Sequence, residues 1–314
     1  MARPPPRRPG ALLRPPGVSS MAPPSSLASL RLGQSGAMMA AMRRFLPFVP
    51  FLLLSTAACK AVEPAPTEID ELTHFFFLEF DSPETERLIE GVDNLLAWNG
   101  KNGDAEGLGG TLTDIDQSHR DAVGLTDKAS FEYLNGVFEL VPHPGCSAEN
   151  MGSIYIYPDQ PKLFPGQYED YKRTYKSGKG CFTDKDCDDA EWEIAIEDKL
   201  IGKTLEYELT VQLRRLQRED GSTAAVMSRV WMTSPGRIGG DTEANTFFDQ
   251  SYQIEIFAHQ SGSKNLHLYG LWNSGGLRGT DPDADIWSNQ YLKGVEDWDD
   301  RLDELCNEDR GLWQ

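Results

Sequence analysis

The sequence predicts an α+β fold, with an antiparallel sheet of about seven strands, a long C-terminal helix and an N-terminal helical pair. Three observations predict it. Helix signals gather near the two ends, in Thr67–Asn99 and Asp281–Leu305, whereas the segment from Phe131 to Trp272 breaks into extended runs. Those runs alternate apolar and polar residues at every second position. They follow one another through turn residues without helical repeats between them, which favours an antiparallel meander over βαβ units.

Thr67-Glu-Ile-Asp70 reads as a capping box, and Ile69, Leu72 and Phe76 follow at helical spacing, so a first helix ends near Phe80. Ser82-Pro83 supplies an N-cap and an N1 proline. Leu88, Val92, Leu95 and Leu96 form one stripe, and Asn99-Gly100 marks the stop of a second helix. Residues 101–129, rich in Gly and Asp, lack a sustained period and read as a long irregular loop. Gly107, Gly109 and Gly110 do not make a dinucleotide fingerprint.

Phe131–Val141 is the first strand, stopped by Pro142 and Pro144. Ser147–Tyr157 fits a strand by propensity and a short helix by its start. Six further strands are expected at Tyr168–Tyr175, Ala190–Glu197, Thr204–Gln217, Ala224–Thr233, Phe248–His259 and Asn265–Trp272. Leu205, Tyr207, Leu209, Val211 and Leu213 alternate with Glu206, Glu208, Thr210 and Gln212, so one face should be buried and one wet. Asp281-Pro282 opens the last helix, striped by Trp287, Tyr291, Val295, Trp298, Leu302 and Leu305. Gly294 in its middle costs about 1 kcal/mol relative to alanine.

Ahead of these elements, Met42–Cys59 has a basic pair, Arg43-Arg44, an apolar run over Phe45–Leu54 and small residues ending at a cysteine. The run is shorter than the roughly 20 residues that span a bilayer. Thr56-Ala57-Ala58-Cys59 resembles the lipobox of bacterial lipoproteins, with threonine where that family usually has leucine. The resemblance implies that the Cys59 thiol takes a diacylglycerol and becomes the mature N-terminus. With Lys60 next, it implies an outer-membrane, lipid-anchored protein of the cell envelope, facing either the periplasm or the cell surface. A secretory peptide with an incidental cysteine is the alternative. Residues 1–41 then form a disordered or mis-called leader, 42–58 the signal peptide and 59–66 a tether. Residues 67–129 hold the helices and loop, 130–306 the α+β domain, and 307–314 a tail.

The whole chain carries a net charge of −19. All seven arginines of residues 1–58 lie apart from any acidic residue, so the mature part has 23 basic against 49 acidic residues, a net of −26. Such a surface repels nucleic acid, and membrane contact would come from the lipid. Four cysteines remain after Cys59, an even number suited to an oxidising compartment. Three pairings are possible. Cys181 and Cys187 close a short acidic loop, which leaves Cys146 with Cys306; metal ligation is the rival reading, without CxxC or His-x-His spacing to support it.

From Phe131 onward the order is strand, short helical region, six strands and long helix. That order resembles the START-like or SRPBCC helix-grip family, with Pro158-Asp-Gln-Pro-Lys-Leu-Phe-Pro165 and Tyr168-Glu-Asp-Tyr-Lys172 similar to its segment before the second strand. The resemblance covers about residues 130–306. It implies a curved sheet wrapped on the C-terminal helix, an apolar cavity for a lipid or other hydrophobic small molecule, and a first strand paired with the last. Under that topology Cys146 and Cys306 meet at the ends of the first strand and the helix, and Cys181–Cys187 staples a strand tip.

The mature part holds no GxSxG, HExxH or P-loop, so no catalytic residue, cofactor or metal site is assigned. Matching Ile256 with Leu268 and Ala258 with Leu266 puts His259 and His267 on the opposite face, diagonal neighbours about 7–8 Å apart, expected as solvated surface histidines. Asp184, Asp186, Asp188, Asp189 and Glu191 form an acidic cluster without EF-hand spacing, expected as a solvated loop. A binding protein with a hydrophobic cavity is one functional expectation. The other is a non-catalytic interaction or structural lipoprotein whose core is filled by Trp231, Trp272, Trp287 and Trp298.

Overall fold

The computed structural model describes residues 63–103, 108–129, 131, 134–200, 203–238, 246–277 and 285–313, with the backbone alone for 198–200, 203, 238, 246–247, 276–277 and 285–292. Cys59, the 1–41 leader, the 42–58 signal and the Asp281-Pro282 cap lie outside the described residues, as do the side chains of Trp287 and Tyr291.

The helices are α1 (Ile69–Leu78), α2 (Thr85–Asn102), α3 (Gln117–Ala122), α4 (Ala148–Ile156), α5 (Gln160–Leu163), α6 (Lys179–Thr183) and α7 (Asp285–Asn307). The strands are β1 (Leu108–Leu112), β2 (Asn135–Pro144), β3 (Asp170–Ser177), β4 (Asp189–Leu200), β5 (Lys203–Gln217), β6 (Thr223–Met232), β7 (Arg237–Ile238), β8 (Thr246–Ser261) and β9 (Lys264–Leu277). They form one antiparallel, curved sheet in the order β1-β2-β9-β8-β6-β5-β4-β3, with β7 on β5. The chain is thus α+β, with a C-terminal helix across the sheet.

Seven strands coincide with the expected ones, and two more are present. Residues 101–129 are not an irregular loop: β1 pairs with β2 from Leu108↔Leu140 to Leu112↔Gly136, and α3 follows with a capping box on Asp116. The glycines at 109 and 110 hide the strand period, and the Phe138 ring occupies the space a Gly110 side chain would take. Ser147–Tyr157 is the helix alternative, with Ser147 accepting a hydrogen bond from the Asn150 N–H at 3.2 Å. α2 begins at Thr85, because Ser82 Oγ accepts from the Glu84 N–H and makes a turn before it, and it continues through Asn99-Gly100 to Asn102.

The expected division into one buried and one wet sheet face is corrected, since helices cover both. On one face Leu72, Phe76, Leu88 and Leu95 of α1 and α2 pack on Ile254, Ile256, Leu266 and Leu268. Gly270 permits that approach: a side chain there would meet Thr73 Cγ2 at 2.4 Å. Arg229, buried among these groups, donates to the Phe77 carbonyl at 3.0 Å, ion-pairs with Asp81 and so ties the end of α1 to the sheet. On the other face Leu302 and Leu305 of α7 and Met151 and Ile154 of α4 pack on Val211, Val226 and Phe257. The alternation of β5 survives from Leu205 to Glu208; Thr210 and Leu216 beyond it are buried. Residues 67–129 and 130–306 therefore share a core within one compact unit, Glu63–Gln314.

Candidate functional site, a cleft between the sheet and the last helix

Between the α7 face of the sheet and α7 itself lies a cleft of about 440 Å³. Its size is that of small-molecule sites. The wall is divided. Ile194 and Ile196 of β4, Leu205 and Leu209 of β5, and Val295 of α7 form an apolar band, with Tyr207, Phe248 and Trp298 adding aromatic surface. Ser228, Ser251, Gln253, Glu255, Tyr269 and Asn273, from β6, β8 and β9, form a polar patch. The apolar cavity that the resemblance implies is thus polar over part of its wall.

Several polar atoms of the wall lack partners. Ser228 Oγ, Asn273 Oδ1 and the Trp192 indole nitrogen are buried and make no hydrogen bond among the described residues. Burying such groups unpaired costs about 1–3 kcal/mol each, and a bound molecule with matching groups would remove the cost.

Glu255 starts a chain of hydrogen bonds that runs from the cleft to the protein surface. The Tyr155 hydroxyl donates to Glu255 Oε2, and Gln253 Nε2 donates to Oε1 at 2.5 Å. His267 Nε2 donates to Glu255 Oε2 at 3.2 Å and His267 Nδ1 to Asp299 Oδ1 at 2.9 Å. His143 Nε2 donates to the same Asp299 oxygen at 3.2 Å, and its Nδ1 to Asp303 Oδ1 at 2.8 Å. Asp303 is 36% exposed, whereas both imidazoles are fully buried.

Burial opposes charge on His267, yet Asp299 and Glu255 outweigh it and push the imidazole up to about 9. His143 is also raised, by Asp299 and Asp303 against the same opposition. Asp299 is held below the ordinary carboxylate range, because His267 and His143 outweigh its own burial. Burial and the neighbouring Glu255 keep Tyr155 well above its usual value, so it remains a donor. Ligand atoms of His143, His267 and Asp299 lie within 4.8 Å of one another, close enough to suggest a metal centre. All four ring nitrogens, however, point at carboxylate oxygens, as two imidazolium rings do. The cluster is an ion network, and a cation at its centre would have to displace those protons.

A second histidine pair lies across the sheet. His74 Nδ1 and His119 Nε2 are 2.8 Å apart, His74 Nε2 reaches Thr113 Oγ1 at 3.0 Å, and His119 Nδ1 reaches Asp116 at 3.2 Å. Burial first, and the neighbouring His74 as well, lower His119 to about 4 against the pull of Asp116. His74 is lowered as well, by burial against the pull of Asp70.

The expected register of β8 on β9 is present, with Ile256 opposite Leu268 and Ala258 opposite Leu266. His267 nevertheless is not a solvated surface residue. It is buried under α7 and stacks on Phe257 at 4.3 Å, while His259 is half-buried. Cys146 is joined to Cys306 and Cys181 to Cys187, each pair with Cα atoms 5.2 Å apart. In the acidic cluster, Asp188 and Asp189 pair with Arg215 and Arg214 across β5. Of the tryptophans expected to fill the core, Trp231 and Trp272 are buried on the α1 face and Trp298 lines the cleft, while the side chain of Trp287 lies outside the described residues.

Sequence reading missed His143, Glu255, Asp299 and Asp303. The signal for Asp299 lay in its position, four residues after Val295 and three before Leu302, within the apolar arc of α7.

No protein-family model and no curated protein matches this chain. Among solved structures it is similar to TTHA0849 from Thermus thermophilus, at 14% identity and a TM-score of 0.35, over 55% of this chain and 96% of that one. A START superfamily protein from Mycobacterium smegmatis is similar at 12% and 0.34, over 54% and 98% of the two chains. Human STARD10 is similar at 7% and 0.36, over 62% and 81%. On its own geometry the chain has a helix-grip arrangement, a curved antiparallel sheet with a C-terminal helix laid across one face.

Proposed function

We propose that this chain is an exported, lipid-anchored binding protein that holds a hydrophobic small molecule between its sheet and α7. The observation that carries the reading is the cleft of about 440 Å³, walled by an apolar band and ending in a buried polar patch. Unpaired Ser228 and Asn273 oxygens favour a ligand that also carries hydrogen-bonding groups. The open cleft argues against an interior filled by tryptophans, and with it against a purely structural role. Native mass spectrometry of the purified full chain is expected to retain a co-purified small molecule whose removal lowers the unfolding temperature. An empty protein whose melting is unmoved by hydrophobic compounds would refute the reading.

The anchor rests on the Met42–Cys59 segment and the signal pattern it carries. Among the described residues no helix is long and apolar enough to cross a membrane. Growth with a labelled fatty acid should mark the protein, and Cys59→Ala should abolish the mark. Undiminished labelling of the variant excludes Cys59 as the acyl site.

A further inference from the structure

The charged groups of the cleft are not equally compensated. Glu255 accepts hydrogen bonds from Tyr155, Gln253 and His267, and the buried part of its network alternates two carboxylates with two imidazoles. Arg173, on the edge strand β3, differs. Its Nε donates to the Tyr171 hydroxyl at 2.9 Å, and its Nη1 to the carbonyls of Tyr155 and Tyr157 and the hydroxyl of Tyr175, at 2.7, 3.1 and 3.1 Å. Every one of these partners is neutral. Nη2 has no acceptor, and the guanidinium has no carboxylate partner, among the described residues. In a chain with 49 acidic and 30 basic residues, a half-buried arginine without a counter-charge is conspicuous.

A second donor lies beside it. The guanidinium carbon sits 4.7 Å from the centre of the Trp192 ring, and the buried indole N–H of Trp192 is one of the unpaired groups of the wall. Arg173 and Trp192 both line the cleft. A guanidinium edge and an indole N–H, both donors without acceptors in partly desolvated surroundings, are complementary to an anion. Four inter-strand steps, about 19 Å along the sheet at 4.8 Å each, separate β3 from β8 with its Glu255, and the apolar side chains of β4 and β5 fill the interval.

We infer that the cleft takes an anionic amphiphile, its acidic head on Arg173 and Trp192 at the sheet edge and its apolar body along β4 and β5. The inference rests on the reading that the cleft binds a ligand, and names the class. A carboxylate and a phosphate monoester share the chemistry recognised.

The test is calorimetric titration of the purified, delipidated full chain with dodecanoate, dodecyl phosphate, dodecanol and dodecylamine. At least one of the two anionic probes is expected to bind about tenfold or more tightly than the alcohol and the amine, and the tighter anion identifies the head group. Arg173→Gln should erase that preference, bringing the affinity for the anions down to that for dodecanol. Because Arg173 also holds the end of α4, Trp192→Phe provides the milder variant, with about a fivefold loss for the anion alone. Equal affinities for alcohol and anions on the wild-type chain, or a preference for the amine, overturn the anionic assignment and leave a binding cleft standing. Binding of none of the four defeats the underlying reading as well.

Discussion

A pair of neighbouring histidines packs on each face of the sheet, and the two pairs are set to different protonation states. Under α1, His74 and His119 touch ring to ring, and their carboxylate neighbours Asp70 and Asp116 are 35% and 76% exposed. Under α7, His143 and His267 share Asp299, which is 4% exposed, and His267 also meets Glu255 at 2%. A carboxylate in water is screened and cannot offset desolvation of a nearby ring, so the first pair is held neutral. A carboxylate in the interior must itself be paired, so it holds the second pair charged. The location of the acid, more than that of the base, decides which way a buried histidine goes.

The largest expected effect comes from removing the shared acid. Asp299→Asn leaves two buried imidazolium rings competing for one amide oxygen and should cost about 3–5 kcal/mol in urea unfolding. A loss below about 1 kcal/mol would mean that the rings are neutral in the native protein. Next comes pH, where the pairs pull in opposite directions. The raised His267 contributes stability that is complete below its unfolded value of 6.5 and is lost as pH rises to about 9. The lowered His119 acts inversely: between 6.5 and about 4 the unfolded chain takes up a proton that the native site resists, so stability falls as pH falls. Unfolding temperatures measured from pH 4 to 9 should therefore decline on both sides of an intermediate maximum. His119→Gln should flatten only the acid limb and His267→Gln only the alkaline one; a change on the wrong limb in either variant contradicts the assignment. The smallest effect concerns α7 over the cleft: Gly294→Ala should stabilise the protein by about 1 kcal/mol, because a Cβ at this position meets nothing within 4 Å. Chemical denaturation resolves a change of that size, and destabilisation would show that the helix backbone needs the glycine.

The strands and the register of the last hairpin were legible because period-2 alternation and turn residues act locally: the Ile256↔Leu268 match needed nothing beyond the two strands, whereas the pairing of β2 with β9 came only with the family resemblance. Which face would be wet was not legible. His267, Glu255 and Thr210 look like outward residues until α7 and α2 are laid over them, and no local pattern says that a meander is covered twice. β1 was hidden by its glycines, and His143 by the prolines on either side of it, which read as the end of a strand that in fact runs on to Pro144. The ion network draws on β2, β8, β9 and α7, so its members are separated in sequence by up to 160 residues and only the fold assembles them.

Gly294 has a meaning wider than its helix propensity. It lines the cleft at the point where the apolar face of α7 would ordinarily add a side chain, and the space beside it is open. A helix selected only to seal a core would carry alanine or leucine here and gain stability from either. The absent side chain leaves the rim of the cleft open where α7 is exposed. Gly294→Leu is then the complementary variant: it adds bulk at the rim of the cleft and leaves every charge of the protein unchanged.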